Sequence, residues 1–327
     1  MNILVTGAAG FIGANYVRQH LAENPQDGVV ALDALTYAGR RENLDGLDIP
    51  FVHADIADQS TVESTLRTHR IDVVVNFAAE SHNSRAVLDP EQFVRTNVLG
   101  TQRLLQACRE VGVRLHHVST CEVYGDLALD DPGSFTEDSP YRPRTPYNAS
   151  KAAADHLVRA YHETFDLPVT ISNCSNNYGP YQFPEKVLPL FLTHAMRDLQ
   201  LPVYTSAENK REWLHVSDHC RAIDAILRDG RIGRTYNVGS GDERTVRELA
   251  ETVLQLLEKP QSLITTVPDR PGHDRRYLLD STRLRTELGW APRIPFSAGL
   301  ADTVQWYEHN ASWWRPLSAS VDEKRWH

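Results

Sequence analysis

Short runs of apolar and β-branched residues alternate along the chain with longer stretches in which apolar positions recur every three or four residues. Residues 2–5, 29–32, 51–53, 73–77, 115–119 and 169–173 have the length and composition of buried strands. Helical spacing follows the first strand to about residue 21 and returns over 97–111 and 149–165. Apolar strands separated by helices predict an α/β fold, a doubly wound parallel sheet of the Rossmann type, because such strands are buried on both faces only when helices cover both. The alternation stops after Cys174, where Ser175-Asn176-Asn177-Tyr178-Gly179-Pro180 opens a loop, and the remaining chain mixes short strands, helices and loops. A smaller mixed α/β substrate-binding lobe is expected there. A strand over 213–216 and a helix from Asp218 are expected to return to the first domain. The predicted division is therefore 1–175 with a return segment near 212–240, and a lobe formed by 176–211 and 241–327.

A chain of 327 residues with 41% hydrophobic residues has the size for one large α/β domain and a smaller lobe. Its net charge of -9 excludes a broad nucleic-acid-binding surface, so an anionic ligand must be met by particular arginines and lysines. Cys108, Cys121, Cys174 and Cys220 have neither C-x-x-C spacing nor the density of a secreted disulfide scaffold, and read as free thiols of a cytoplasmic protein. The first residues lack the basic start of a leader, and no run approaches the roughly 18 apolar residues of a membrane span. No metal site is expected.

Gly7-Ala8-Ala9-Gly10-Phe11-Ile12-Gly13 follows the first strand and opens the first helix. Small residues there allow close approach of a pyrophosphate to backbone N–H groups and to a helix N-terminus. The second strand ends at Asp33, 20 residues beyond Gly13, where a carboxylate accepts from a ribose 2′-hydroxyl and repels a 2′-phosphate. The pair favours NAD over NADP. Arg40 and Arg41 lie seven or more residues past that strand end and read as surface or interface groups, while Asp55-Ile56 has the spacing of an adenine contact.

Ser119-Thr120-Cys121-Glu122-Val123-Tyr124-Gly125 precedes Pro146-Tyr147-Asn148-Ala149-Ser150-Lys151. Tyr147 and Lys151, four apart, share one helix face, where an ammonium lowers a phenol pKa toward use as a base. Thr120 and Glu122 supply a hydroxyl donor and a second base. Together with Asn76-Phe77-Ala78-Ala79-Glu80-Ser81-His82, Asn173-Cys174-Ser175-Asn176-Asn177-Tyr178-Gly179-Pro180, Arg211-Glu212-Trp213-Leu214, Tyr236-Asn237-Val238-Gly239 and Arg270-Pro271-Gly272-His273-Asp274-Arg275-Arg276-Tyr277, these segments make the chain resemble the extended short-chain dehydrogenase/reductases, and among them the dTDP-glucose 4,6-dehydratases. The resemblance runs from residue 2 to about residue 305.

The resemblance implies tightly bound, recycled NAD on Gly7, Gly10, Phe11, Ile12, Gly13, Asp33, Asp55, Ile56, Ala79, Tyr147, Lys151 and Asn177. It implies a nucleoside diphosphate-sugar, dTDP-glucose or a close relative, on Ser81, Thr120, Asn176, Lys186, Arg211, Asn237, Arg275, Arg276 and Tyr277. It also implies a homodimer, for which helices 97–111 and 149–165 carry apolar stripes, although the same stripes serve to cover a sheet. Without the motif, Arg275 and Arg276 would read as partners of surface acids, His82 and Tyr124 as packed side chains, and Cys174 as a small strand-end residue.

In the implied reaction Tyr147 takes the proton of the sugar 4-hydroxyl as hydride leaves C4, Thr120 holds the same oxygen, and Glu122 removes the C5 proton before the C6 hydroxyl departs. The product is a 4-keto-6-deoxy sugar. The family places an Asp where this chain has Cys121. A thiol with an ordinary pKa of about 8.5 keeps its proton at neutral pH but is a weak hydrogen-bond donor. His82-Asn83-Ser84-Arg85 departs from the family's His-Val-Asp-Arg, and Thr205-Ser206-Ala207-Glu208-Asn209 from its Gly-rich turn. The alternatives are a 5,6-dehydratase that returns hydride to C4 and leaves an exocyclic alkene, a 4-epimerase, which does not need Glu122, and an NAD-bound regulatory protein.

Overall fold

A computed structural model describes residues 1–269, 271–319 and 321, leaving Arg270 of the Arg-Pro-Gly-His-Asp motif outside the described residues. The first part of the chain forms β1 (Asn2–Thr6), α1 (Phe11–Glu23), β2 (Gly28–Asp33), β3 (Phe51–His53), α2 (Gln59–Thr68), β4 (Val73–Asn76), α3 (Asn83–Leu88), α4 (Pro90–Phe93), α5 (Thr101–Val111), β5 (Arg114–Thr120), α6 (Pro146–Phe165) and β6 (Val169–Cys174). There follow β7 (Asn176–Tyr178), α7 (Val187–Ala195), β8 (Leu201–Tyr204), β9 (Lys210–His215), α8 (Val216–Asp229), β10 (Thr235–Val238), β11 (Glu243–Thr245), α9 (Val246–Leu256), β12 (Ile264–Val267), α10 (Thr282–Leu288), α11 (Phe296–His309) and α12 (Ala311–Ser318).

Seven parallel strands pair in the order β10-β6-β5-β4-β1-β2-β3. Alternation along β1 sends Leu4 into one core with Val30, Val74, Leu104, Leu115 and Val158, and Ile3 and Val5 into another with Tyr16, Val17 and Ile223. Both faces are buried, as the continuous apolar strand runs require. The chain order reverses between β1 and β4, so the loops leaving these two strands flank a crevice at their carboxyl ends. A third core gathers Leu188, Phe191, Trp213, Leu249, Phe296, Tyr307 and Trp314 around the two-stranded β12-β8 and three-stranded β11-β9-β7 sheets.

Two helices differ in extent from the sequence expectation. The helix over 149–165 starts at Pro146, because the Thr145 side chain accepts from the Asn148 N–H at 3.2 Å and proline at the first position has no N–H to leave unpaired. The one over 97–111 is α-helical from Thr101 and is preceded by a π-helical stretch, Val94–Gly100.

Helix α1 is fastened to α8 by a buried acid–base cluster. Tyr16 donates to Asp224 at 2.9 Å, and the His20 ring meets Asp224 through Nδ1 at 2.8 Å and Asp27 through Nε2 at 3.1 Å. Burial alone would lower the His20 pKa, but the hydrogen bonds and charges of Asp224 and Asp27 outweigh it and raise the value. A raised folded-state pKa means that the charged cluster stabilises fully below the unfolded value of about 6.5 and loses that contribution as pH rises through the folded value. We expect His20→Ala to lower the melting temperature more at pH 6 than at pH 9. Calorimetry showing equal losses at both would contradict the charged cluster.

Candidate active site

The turn after β1 is shaped to receive a pyrophosphate. Gly7 has φ +66°, and a Cβ there would lie 2.6 Å from the Ala78 amide nitrogen; a Cβ at Gly13 would lie 2.2 Å from the Gly7 carbonyl oxygen. Helix α1 then begins after Gly10, which offers no side-chain cap, leaving its first N–H groups at the crevice that Phe11, Ile12 and Gly13 line. At the end of β2 the Asp33 carboxylate accepts from the Ala9 N–H at 2.9 Å and the Leu35 N–H at 2.8 Å. Burial pushes its pKa up, and the two N–H groups only partly offset that. The cradle fits a dinucleotide whose ribose hydroxyls meet Asp33.

One cavity of about 310 Å³ runs from this cradle to the ends of β4 and β5. It is lined by Gly7, Gly10, Phe11, Ile12, Gly13, Asp33, Asp55, Ile56, Ala79 and Asn177, and also by Thr120, Cys121, Glu122, Tyr147, Lys151, Ser81, Asn176 and Lys186. The structure thus brings together the expected cofactor residues, the five expected catalytic residues and four of the expected sugar-nucleotide residues, Thr120 among them.

Thr120 ends β5 and caps the 3₁₀ turn Cys121–Tyr124, its Oγ1 accepting from the Glu122 N–H at 3.3 Å. The Tyr147 phenol shares a hydrogen bond with Thr120, but burial, followed by the Glu122 carboxylate, holds its pKa well above the ordinary value. This differs from the lowering expected from Lys151. The Lys151 ammonium donates to the Val118 carbonyl at 2.9 Å and meets His117 Nε2 at 3.3 Å, and burial draws its pKa down against the pull of Asp155. Cys121 is 1% exposed and packs with Val123, Tyr124, Ala152, Tyr277 and Leu279. Burial first, and Glu122 second, push its thiol well up, so the sulfur keeps its proton.

Five expected sugar-nucleotide residues do not line this cavity. Arg275 holds Asp126 through Nε at 2.8 Å and Nη2 at 2.7 Å, and Arg276 holds Glu243 through Nε at 2.6 Å and Nη2 at 2.8 Å. Arg211 donates to the carbonyls of Lys210, Asp274 and Arg275 and lies over the Tyr277 ring, whose hydroxyl donates to Asp274. Asn237 accepts from the Tyr124 hydroxyl and donates to the Phe135 carbonyl. Their polar atoms join segments of the fold to one another, and the reading of Arg275 and Arg276 as partners of acids describes this geometry. Arg275, half exposed, borders a separate depression with Arg142, Arg144 and His273.

Several supporting contacts have no signal in the sequence, where Asn83 shows only as a departure from the family's motif and Lys186 as an expected sugar-nucleotide residue. Asn97 accepts from the Glu80 N–H and donates to the Glu80 carbonyl, both at 2.9 Å, and to Ser150 at 2.8 Å, fixing the loop that carries Ala79 and Ser81 to α6. Glu185 accepts from Tyr37 at 2.6 Å and Arg85 at 3.1 Å, and the neighbouring Lys186 donates to the Ser81 carbonyl at 2.6 Å, so three distant segments meet beside the cavity. Asp155 accepts from Ser119 and Tyr141 behind Lys151. Asn83 donates to Glu122 Oε2 at 2.9 Å. Each contact spans at least 14 residues, and no local motif announces it.

A family model described as GDP-mannose 4,6 dehydratase matches residues 4–303. The chain is 49% identical over 327 residues, 99% of its length and 98% of the relative's, to a dTDP-glucose 4,6-dehydratase of Mycolicibacterium smegmatis. Among solved structures it is similar to the dTDP-glucose 4,6-dehydratase DesIV of Streptomyces venezuelae, which has NAD bound, with a TM-score of 0.94 and 49% identity over 97% of this chain and 100% of that one. A UDP-glucose 4-epimerase of Thermus thermophilus in complex with NAD superposes with a TM-score of 0.89 at 32% identity, over 95% and 100% of the two chains.

Proposed function

We propose that this chain, which belongs to the dTDP-glucose 4,6-dehydratase family of extended short-chain dehydrogenase/reductases, converts dTDP-glucose to dTDP-4-keto-6-deoxyglucose on bound NAD. The observation that carries the reading is the cavity in which the dinucleotide cradle meets Thr120, Glu122 and Tyr147. NAD supplies reversible hydride acceptance, so it is recycled and stays bound. Tyr147 takes the proton of the sugar 4-oxygen as a phenolate, the form toward which the Lys151 ammonium and the nicotinamide cation of bound NAD would draw it, while the Thr120 hydroxyl holds the same oxygen. Glu122 takes the C5 proton, acidified by the adjoining C4 ketone. Cys121, kept protonated by burial and by Glu122, supplies the proton with which the C6 hydroxyl leaves as water. Because a thiol is a weak donor, this elimination is the slow step.

The test is the product. Incubation of the purified protein with dTDP-glucose should give a C6 methyl doublet in the proton NMR spectrum, and Cys121→Ala should form it more slowly than wild type. Alkene protons would replace the reading with a 5,6-dehydratase, a galactose-configured product would replace it with a 4-epimerase, and equal rates for Cys121→Ala and wild type would remove the thiol from the mechanism.

Among the described residues no helix is long and apolar enough to cross a membrane. The four cysteines are buried and unpaired, which supports a reducing cytoplasmic setting. A homodimer through α5 and α6 is supported by Val94, Leu99 and Phe165, which are 54%, 44% and 41% exposed on and beside these helices. Light scattering should report twice 36.9 kDa, and a particle of 36.9 kDa at micromolar concentration would reject it.

A further inference from the structure

Glu122 is held by a residue that does not itself line the cavity. Asn83, the first residue of α3, donates from Nδ2 to Glu122 Oε2 at 2.9 Å, while its Oδ1 accepts from the Thr145 hydroxyl at 2.8 Å. Chemistry fixes this amide orientation, since the reverse would set Oδ1 against the carboxylate. Thr145 is in turn the cap of α6, the helix that carries Tyr147 two residues later. The base is thereby tied to the same helix end that positions Tyr147.

Resting on the dehydratase reading above, we propose that Asn83 is a positioning residue for C5 deprotonation, holding Oε2 so that Oε1 of Glu122 is the oxygen presented to the substrate. In that step the C5–H bond breaks, an O–H bond forms on Oε1, and the electron pair enters the enolate conjugated with the C4 ketone. An amide N–H cannot accept or relay that proton, so the proton stays on the face of Glu122 turned to the sugar. Oxidation at C4 uses Tyr147 and Thr120 and does not need Glu122. Loss of Asn83 should therefore separate the two halves of the reaction.

Stopped-flow mixing of the NAD-loaded enzyme with dTDP-glucose reads both halves. The rise of the reduced-nicotinamide band reports oxidation at C4, and its decay reports elimination and hydride return. Asn83→Leu, which keeps the branched shape and removes the donor, should leave the rise within about 2-fold of wild type and slow the decay by roughly 10- to 100-fold, the range of a lost hydrogen bond to a charged group. Asn83→Asp, which sets a second carboxylate against Glu122, should slow the decay further. Equal slowing of both phases in both variants would assign Asn83 a general structural role, and an unchanged decay would remove it from the step; either result overturns the proposal. Absence of any rise in the wild-type enzyme would instead overturn the dehydratase reading on which it rests.

Discussion

A buried line of polar contacts crosses the carboxyl ends of the central strands, and the site depends on it. Thr6 on β1 donates to Asn76 on β4 at 2.6 Å, Asn76 meets His117 on β5 at 3.1 Å, and His117 meets the Lys151 ammonium on α6 at 3.3 Å. Four elements that are remote in sequence are thus locked in one register beneath the cavity. Burial holds His117 neutral, so Lys151 is balanced within this line by Asp155 and the Val118 carbonyl. An unpaired buried ammonium would cost several kcal/mol, which the Val118 carbonyl, His117 and the nearby Asp155 charge offset. Directly above it, Gly7 admits the Ala78 backbone at a distance no side chain would permit, and the two crevice loops close against each other.

The second constraint is where the protons sit. In a site this buried, Tyr147 and Cys121 both resist ionisation, and their shared neighbour Glu122 strengthens that resistance. A carboxylate beside a thiol that keeps its proton suits the proposed elimination. In the proposed reaction Glu122 is the base, and the proton it does not carry remains on Cys121. In the proposed elimination Cys121 keeps that distribution as a weak donor, because sulfur cannot form the short, directed bond of an oxygen acid.

The fold and the cavity were legible wherever function or burial imposes a local pattern. Strands buried on both faces must read as apolar runs, and a turn that admits a pyrophosphate must be rich in glycine, so β1, its turn and Asp33 could be read in order. Thr145-Pro146 carries an equally local start signal for α6, ahead of the residues at which the apolar periodicity begins. The arginines were not legible in this way. Whether Arg275 and Arg276 face a ligand or an acid depends on Asp126 and Glu243, which lie 149 and 33 residues away. Asn97 was equally silent, since an asparagine in a helix has no periodic signature, and Asn83 showed only as a departure from the family's motif, its contact with Glu122 following from the loops brought together.

In the proposed reaction one cavity carries oxidation, elimination and hydride return on a single sugar without release of an intermediate. The most direct measurement is turnover of dTDP-glucose deuterated at C4, mixed with unlabelled substrate, with the product read by mass spectrometry and deuterium NMR. The account predicts deuterium in the C6 methyl group of the same molecules that carried it at C4, with no scrambling into unlabelled product. Deuterium retained at C4, lost to solvent or spread between molecules would contradict it.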